Sequence, residues 1–202
     1  MAFQLPKSVR GFHDYFKMAV DVETLVAAFG YQHQRDQLTL PKTEAAPDWT
    51  EALQKRLWDT LKVVSLDSET ARREFLIAPI LTEVSVRLQT QLRTERAIDV
   101  GPLLHGSLDY YLKANQNLLV VEAKYADTLR GFKQLAAELI ALDQSEEMTF
   151  PCLYGAVSIG DNWRFGRLDR QAKIIAEDLA LYTVPEGLGE LLRVLIGILQ
   201  AT

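Results

Sequence analysis

The sequence feature that most constrains the fold is the stretch LLVVEAK at residues 118–124, where four apolar residues lead directly into Glu122, Ala123 and Lys124. A short, continuous apolar run of this kind is typical of a strand that is buried on both faces of a sheet. Successive side chains of a strand point to opposite faces, so Glu122 and Lys124 fall on the same face. The sequence therefore predicts a buried strand that ends in a carboxylate and an amine on one side.

A second strand is predicted immediately before this one. The segment GSLDYYL at residues 106–112 is followed by the polar stretch KANQN, which predicts a hairpin turn. If the pairing is symmetric about that turn, Lys113 lies opposite Leu118, and Asp109 then lies opposite Glu122. Directly opposed residues have Cβ atoms about 4.5–5.5 Å apart. Two carboxylates in this arrangement repel each other, and burial increases the cost of leaving either one uncompensated.

Three interpretations of this carboxylate pair remain open. In the first, Lys124, which lies on the same face, neutralises one of the two charges and forms a structural ion pair. In the second, the Glu-x-Lys triplet is solvated charge at an exposed strand end, although the preceding apolar run argues against it. In the third, Asp109 and Glu122 share a divalent cation with the main-chain carbonyl of Ala123. Oxygen donors of this type favour Mg²⁺ or Mn²⁺.

Hydrophobic periodicity and turn residues predict the remaining elements. Helices are expected at 12–29, 49–64 (with Asp48 as N-cap), 65–92 (kinked at Pro79), 126–142, 170–182 and 186–200, and strands at 37–41, 96–104, 152–160 and 163–168. This order predicts an α/β (α+β) fold with a central mixed sheet of about four to five strands flanked by helices. Residues 1–65 are expected to form a helical accessory region, and residues 66–202 the core.

Composition and charge limit the classes of partner. The net charge of −5 and the lack of a basic stripe argue against tight metal-free binding to a polyanion, but bound cations would change that balance. The apolar C-terminal stretch LLRVLIGILQ is too short to span a bilayer and is interrupted by Arg193, so a buried helix in the core or at a subunit interface is expected. With a single cysteine, Cys152, the chain is expected to be a soluble cytoplasmic protein without a membrane partner.

Asp109, followed after a short turn by Glu122-Ala123-Lys124, resembles the signature of the PD-(D/E)XK (restriction-endonuclease-like) nuclease superfamily. Leu108 stands directly before Asp109, at a position where that signature often has proline. The segments ARREFLIAPILTEV, GSLDYYL, VVEAK, GFKQLAAEL and YGAVSIGDNWRF together resemble a group of small uncharacterised bacterial proteins with this core. The resemblance covers about residues 66–200.

This resemblance implies a function and a set of site residues. It implies a Mg²⁺- or Mn²⁺-dependent nuclease, with DNA as the expected substrate, in which Asp109 and Glu122 bind the metal and Lys124 has a catalytic role. It also implies a glutamate from the first core helix. Glu74 is preferred over the alternative Glu83, because it lies closer to the edge of the apolar face.

The resemblance also extends to the helix at 126–142 and to assembly. Gln134 stands where exonuclease-like members carry a glutamine, but Glu138 replaces the tyrosine that follows it in those members. A helical wheel puts both residues away from the apolar face, so exposure is expected. Arg130 and Lys133 are candidate phosphate contacts.

The resemblance also implies a homodimer, because nucleases of this type often act as dimers. The alternative function is a non-catalytic scaffold for binding or assembly.

Overall fold

The computed structural model describes residues 5, 9, 11–114, 118–124, 127–145 and 150–201. The helices are α1 (Phe12–Lys17), α2 (Val22–Ala27), α3 (Thr50–Leu61), α4 (Glu69–Arg72), α5 (Ala78–Leu88), α6 (Thr128–Gln144) and α7 (Leu188–Gln200), and a π-helical turn spans Arg73–Ile77 between α4 and α5. The strands are β1 (Gln32–Asp36), β2 (Gln91–Asp99), β3 (His105–Lys113), β4 (Leu118–Ala123), β5 (Cys152–Ser158), β6 (Asn162–Asp169), β7 (Ile174–Asp178) and β8 (Tyr182–Thr183).

The eight strands form one mixed sheet. Its order is β1-β7-β6-β5-β4-β3-β2, and β8 pairs with β6. The pairs β1–β7 and β4–β5 are parallel, and α6 makes the crossover between β4 and β5. The expected mixed α/β class is confirmed, but the sheet is larger than the four to five strands expected. The predicted accessory region contributes β1 to this same sheet.

Helices cover both faces of the sheet. Helices α1, α2 and α6 pack on one face, and α3, α5 and α7 pack on the other. Strand β4 lies between these layers, with Leu119 and Val121 in one core and Val120 in the other, all fully buried. The prediction of a strand buried on both faces is therefore confirmed.

The predicted register of the β3–β4 hairpin is also confirmed. Lys113 pairs with Leu118, and the recorded pairs continue as far as Tyr110 opposite Val121. Asp109 and Glu122 are the next residues along the two strands. The centre of the KANQN turn, residues 115–117, lies outside the described residues.

Three element predictions in the peripheral segments are wrong. The helix expected over 12–29 is divided into α1 and α2, because Asp21 caps α2 by accepting a hydrogen bond from Thr24 N at 2.7 Å. The strand expected at 37–41 lies earlier, as β1. The helix expected over 170–182 is replaced by β7 and β8. Its residues pair with β6 and β1, and these long-range hydrogen bonds override a weak local preference for helix.

The starts of two further helices differ from expectation. Trp49, not Asp48, is the N-cap of α3, and no side chain caps this helix. The expected long helix over 65–92 begins at α4 and is interrupted by the π-helical turn, and Pro79 lies in the first turn of α5, where its missing N–H costs little.

Helix α7 is buried within the chain. Its apolar residues, from Leu188 to Leu199, are all buried, and they pack among α3, α5 and the sheet. Of the two alternatives for this segment, the structure therefore shows the core position, and α7 does not offer an apolar face to a second subunit. No helix among the described residues is long and apolar enough to cross a bilayer.

Gly197 allows α7 to approach the backbone of the loop before α3. A Cβ atom at Gly197 would lie 2.4 Å from the carbonyl oxygen of Pro41 and 2.6 Å from backbone atoms of Lys42. Backbone atoms cannot rotate out of the way, so we expect Gly197→Ala to lower the free energy of unfolding by about 1–3 kcal/mol. Urea denaturation measures this loss.

Gly189 provides the matched control in the same helix. A Cβ atom there would lie 3.4 Å from the Ala46 Cβ, which is ordinary contact. We expect Gly189→Ala to leave stability unchanged or slightly raised, since alanine is the better helix former. Equal stability of the two variants would show that the contact of α7 with the loop is not tight.

Candidate active site

A cavity of about 770 Å³ lies beside the end of β4. Helix α1 contributes Phe12 and Phe16 to its wall, and Asp109, Glu122 and Lys124 are also among its lining residues. The three polar residues that the sequence singled out therefore line one cavity. They come from two neighbouring antiparallel strands and from the residue that follows β4.

Lys124 lies against two of the oxygens proposed as metal ligands. Its Nζ donates hydrogen bonds to Glu122 Oε1 and, at 2.9 Å, to the main-chain oxygen of Ala123. The side chains of Lys124 and Glu122 are only 11% and 1% exposed. The backbone N–H of Lys124 donates to Ser158 O at 2.8 Å, which continues the β4–β5 pairing and fixes the lysine in place. The Glu122–Lys124 ion pair, one of the three interpretations left open by the sequence, is thus present and buried.

Gly131 on α6 makes room for this lysine. A Cβ atom at Gly131 would lie 2.6 Å from a methyl group of Val157 and 3.1 Å from Cγ of Lys124. The glycine therefore lets α6 pack directly over the end of β4.

Asp109 connects β3 to the end of β4. Its Oδ2 accepts a hydrogen bond from Ala123 N at 2.8 Å, and its Oδ1 lies 3.4 Å from Nη1 of Arg73. Burial raises the pKa of Asp109, although the hydrogen bond from Ala123 and the charges of Arg73 and Lys124 oppose that rise. The carboxylate is held in position from two sides.

Arg73 was not anticipated from the sequence, and it joins Asp109 to β2. Its Nη2 lies 2.6 Å from Glu95 Oε1, and Ser107 Oγ donates to the other carboxylate oxygen of Glu95 at 3.2 Å. Glu95 has a φ of 49°, and the β2–β3 register passes from Thr94 to Arg96 without a pair at Glu95. A non-glycine residue in this conformation is uncommon and costs free energy. The local interruption leaves Asp109 free of strand pairing with β2.

Glu122 and Glu138 form a buried pair of carboxyl groups. Glu138, on α6, is fully buried and accepts a hydrogen bond from Gln134 Nε2 at 3.0 Å. Burial, followed by the charge of Glu138, raises the pKa of Glu122 well above its usual value. Burial also raises the pKa of Glu138 to about 7, although its hydrogen bond with Glu122 opposes the rise. Both carboxyl groups therefore hold a proton more tightly than an exposed glutamate does.

The expectation that Gln134 and Glu138 are exposed is wrong. Gln134 is 5% exposed and Glu138 is 0% exposed. Gln134 lines the cavity together with Phe12 and Phe16 of α1, and Glu138 lies against Glu122 of β4, so neighbouring elements cover the side of α6 that a single-helix wheel leaves to solvent. Gln134 lines the cavity beside Glu122, so the structure does bring this predicted residue to the site.

The structure does not bring the predicted helix glutamates to the cavity. Glu74 is exposed, and Glu83 pairs with two arginines, Arg56 and Arg87. Glu69 lines the cavity instead, and its charge contributes to the raised pKa of Lys124. The π-helical turn inserts one extra residue into the helix. This insertion rotates the residues before the turn, including Glu69, by about 100° around the helix axis relative to a regular helix. The wheel drawn for a straight helix therefore does not apply.

The two predicted phosphate contacts on α6 lie in different surroundings. Arg130 lines the cavity and is largely exposed, with Nε 3.1 Å from Asp127 Oδ2. Lys133 is 6% exposed, donates to the main-chain oxygen of Met18 and lines a neighbouring cavity of about 490 Å³. Only Arg130 is therefore available to a ligand in the first cavity.

The oxygen donors at this site fit a divalent cation. Glu122 Oε2 is buried and accepts no hydrogen bond from the described residues. The other candidate oxygen ligands for a metal are Asp109 and the Ala123 carbonyl. In the described part of the chain, no group of three or more His, Cys, Asp or Glu side chains is arranged around a common point. Mg²⁺ is commonly held by only one or two carboxylates together with water and substrate phosphate, so two carboxylates suffice.

No family model and no curated protein matches this sequence. The protein is therefore defined by its fold and its site, which are those of a mixed α/β protein with a charged cavity at the end of a central strand.

Proposed function

We propose that this protein is a divalent-metal-dependent nuclease of the PD-(D/E)XK type that hydrolyses phosphodiester bonds, with DNA as its substrate. The observation that carries the proposal is the convergence of Asp109, Glu122 and Lys124 in one cavity. The arrangement of the surrounding elements supports it. Helix α5, the meander β2–β3–β4, helix α6 and the parallel strand β5 follow the order of the restriction-endonuclease-like core.

Each residue would have a distinct role. Asp109, Glu122 and the Ala123 carbonyl would hold Mg²⁺ or Mn²⁺, with Glu69 lining the same cavity. A bound metal of this kind polarises a phosphoryl oxygen and lowers the pKa of a coordinated water. Arg73 would orient Asp109. Glu138, which accepts a hydrogen bond from Gln134, would position Glu122 through their direct contact.

Lys124 would act as a positive charge rather than as a base. Burial alone would lower its pKa, but the charge of Glu122 and the hydrogen bond to it, followed by the charges of Asp109 and Glu69, raise the pKa above the usual value. The amine therefore keeps its proton at neutral pH. An ammonium group at this point stabilises negative charge that develops on the phosphate and orients the attacking water.

Two observations favour the alternative, a non-catalytic scaffold. Lys124 already donates to Glu122 and to the Ala123 carbonyl, so the buried charges are balanced without a metal. The net charge of −5 also disfavours metal-free binding of nucleic acid. In this alternative the ion pair has a structural role only.

Metal binding distinguishes the two functions. We expect Mn²⁺ titrated calorimetrically into the wild-type protein to bind, and Asp109→Asn to weaken that binding by about 10-fold to 100-fold or more, because a ligand is lost. The same variant should lose most of its Mg²⁺-dependent cleavage of plasmid and single-stranded DNA.

Asp59→Asn is the matched control for this experiment. Asp59 lies on α3, where it pairs with Lys55 and Lys62 on the surface. Its replacement should alter neither Mn²⁺ binding nor cleavage. Absence of both metal binding and cleavage in the wild-type protein would overturn the nuclease proposal and leave the scaffold.

A further inference from the structure

Helix α1 is fixed firmly over the cavity. Phe12 and Tyr15 are 2% and 0% exposed, and the Tyr15 hydroxyl donates to the main-chain oxygen of Leu103. Phe12 packs so closely on β3 that a Cβ atom at Gly106 would lie 2.8 Å from its ring. The helix is therefore part of the wall and not a detached flap.

The other side of α1 presents an aromatic and basic surface to the cavity. His13, Phe16 and Lys17 line it, within one helical turn of one another. Phe16 is half-buried, and the Nζ of Lys124 lies 5.6 Å from the centre of its ring. The Phe16 ring therefore lies beside Lys124, the residue proposed to contact the phosphate. Two further cationic side chains, Lys17 and Arg130, line the same cavity.

The depth of the site limits the form of the substrate. The side chains of Asp109, Glu122 and Lys124 are 14%, 1% and 11% exposed. A cavity of about 770 Å³ is in the size range of sites that enclose one small-molecule ligand, which is also the scale of one or two nucleotides. The backbone of an intact duplex lies on the outside of a stiff, wide cylinder, whereas an unpaired strand is narrow and flexible. Side chains as deeply buried as these are therefore more accessible to an unpaired strand than to a duplex.

We infer that the cavity takes single-stranded DNA, with the ring of Phe16 as the platform on which a base stacks next to the phosphate held by Lys124. This inference rests on the proposed nuclease function. Proteins that bind single strands combine cationic side chains for the backbone with aromatic rings for the bases, and both are present here. A base has a flat face available for such stacking only when it is unpaired or at an end.

Binding of labelled DNA tests this directly. The probe is a short fluorescein-labelled DNA strand, alone or annealed to its complement, and fluorescence anisotropy is measured in Mg²⁺. The protein carries Asp109→Asn, which removes most turnover and leaves Lys124 and Phe16 in place. We expect at least a 10-fold preference for the single strand. Adding Phe16→Ala should weaken single-strand binding by about 5-fold to 100-fold, the range that the loss of one stacked base produces.

Two further variants separate stacking from folding. Phe16→Tyr keeps an aromatic ring and should retain single-strand binding within about 3-fold. Trp58→Ala removes an exposed aromatic side chain on α3, outside the cavity, and should change nothing. Loss of binding in Phe16→Ala with a folded circular dichroism spectrum and retention in Phe16→Tyr supports the inference.

The possible failures are distinguishable. Equal affinity for the single strand and the duplex, or unchanged binding in Phe16→Ala, overturns the inference while leaving the nuclease proposal in place. Failure to bind either form of DNA, together with an absence of cleavage by the wild-type protein, overturns both the inference and the nuclease proposal.

Discussion

Lys124→Ala is expected to lower the rate of Mg²⁺-dependent DNA cleavage by about 10²-fold to 10³-fold, the usual effect of removing one group that stabilises transition-state charge. The reason is the position of Nζ, which is buried beside Glu122 and carries a proton at neutral pH. Cleavage of a labelled DNA strand under single-turnover conditions measures the loss. Lys124→Met should lose as much, because it keeps the length of the side chain but not its charge.

Lys55→Ala is the control for this loss. Lys55 lies on α3 and forms a surface ion pair with Asp59, so its removal should leave the rate unchanged. Circular dichroism must show that the Lys124 variants remain folded. Equal cleavage by wild type and Lys124→Ala would assign the activity to a contaminating nuclease and remove the catalytic role of this residue.

Glu138→Gln is expected to stabilise the protein at pH 8 by about 3 kcal/mol. The pKa of Glu138 is raised from 4.5 to about 7, mainly by burial, and each pKa unit corresponds to about 1.4 kcal/mol. A carboxyl group with a raised pKa in the folded state binds its proton more tightly there than in the unfolded chain. Its favourable contribution is therefore complete below about pH 4.5 and is lost as the pH rises through about 7.

The amide of the variant cannot ionise, and its N–H₂ group can donate to Glu122. Urea denaturation between pH 5 and pH 8 should show stability falling with pH in the wild-type protein and a flatter profile in Glu138→Gln. The control is Glu51→Gln on the exposed surface of α3, which should keep the wild-type profile. A wild-type stability that is constant or rises over this range would contradict the raised pKa of Glu138.

The hairpin that carries the candidate site was predictable because its determinants are local. The apolar run of β4, the polar stretch before it and the two-residue alternation of side chains together predict which residues face each other. No other part of the chain is needed for this deduction. The pairing of Lys113 with Leu118 was obtained in this way.

Elements whose form depends on distant partners were not predictable in the same way. Residues 174–178 form β7 because β6 and β1 flank them, and β1 is more than a hundred residues away in the sequence. The burial of Gln134 and Glu138 depends in the same way on α1 and β4. A helical wheel describes one helix in water, so it assigns to solvent any polar face that a later contact covers.

The sequence by itself determined the buried strand β4, its register with β3, and therefore the approach of Asp109, Glu122 and Lys124. These follow from patterns within about twenty residues, where backbone geometry leaves little choice. The tertiary structure alone decided what surrounds these three residues. Arg73 reaches Asp109 and Glu69 reaches the cavity through the π-helical turn, and Glu138 is pressed against Glu122 by the packing of α6. Side-chain surroundings of this kind depend on how separate segments pack, which no local periodicity encodes.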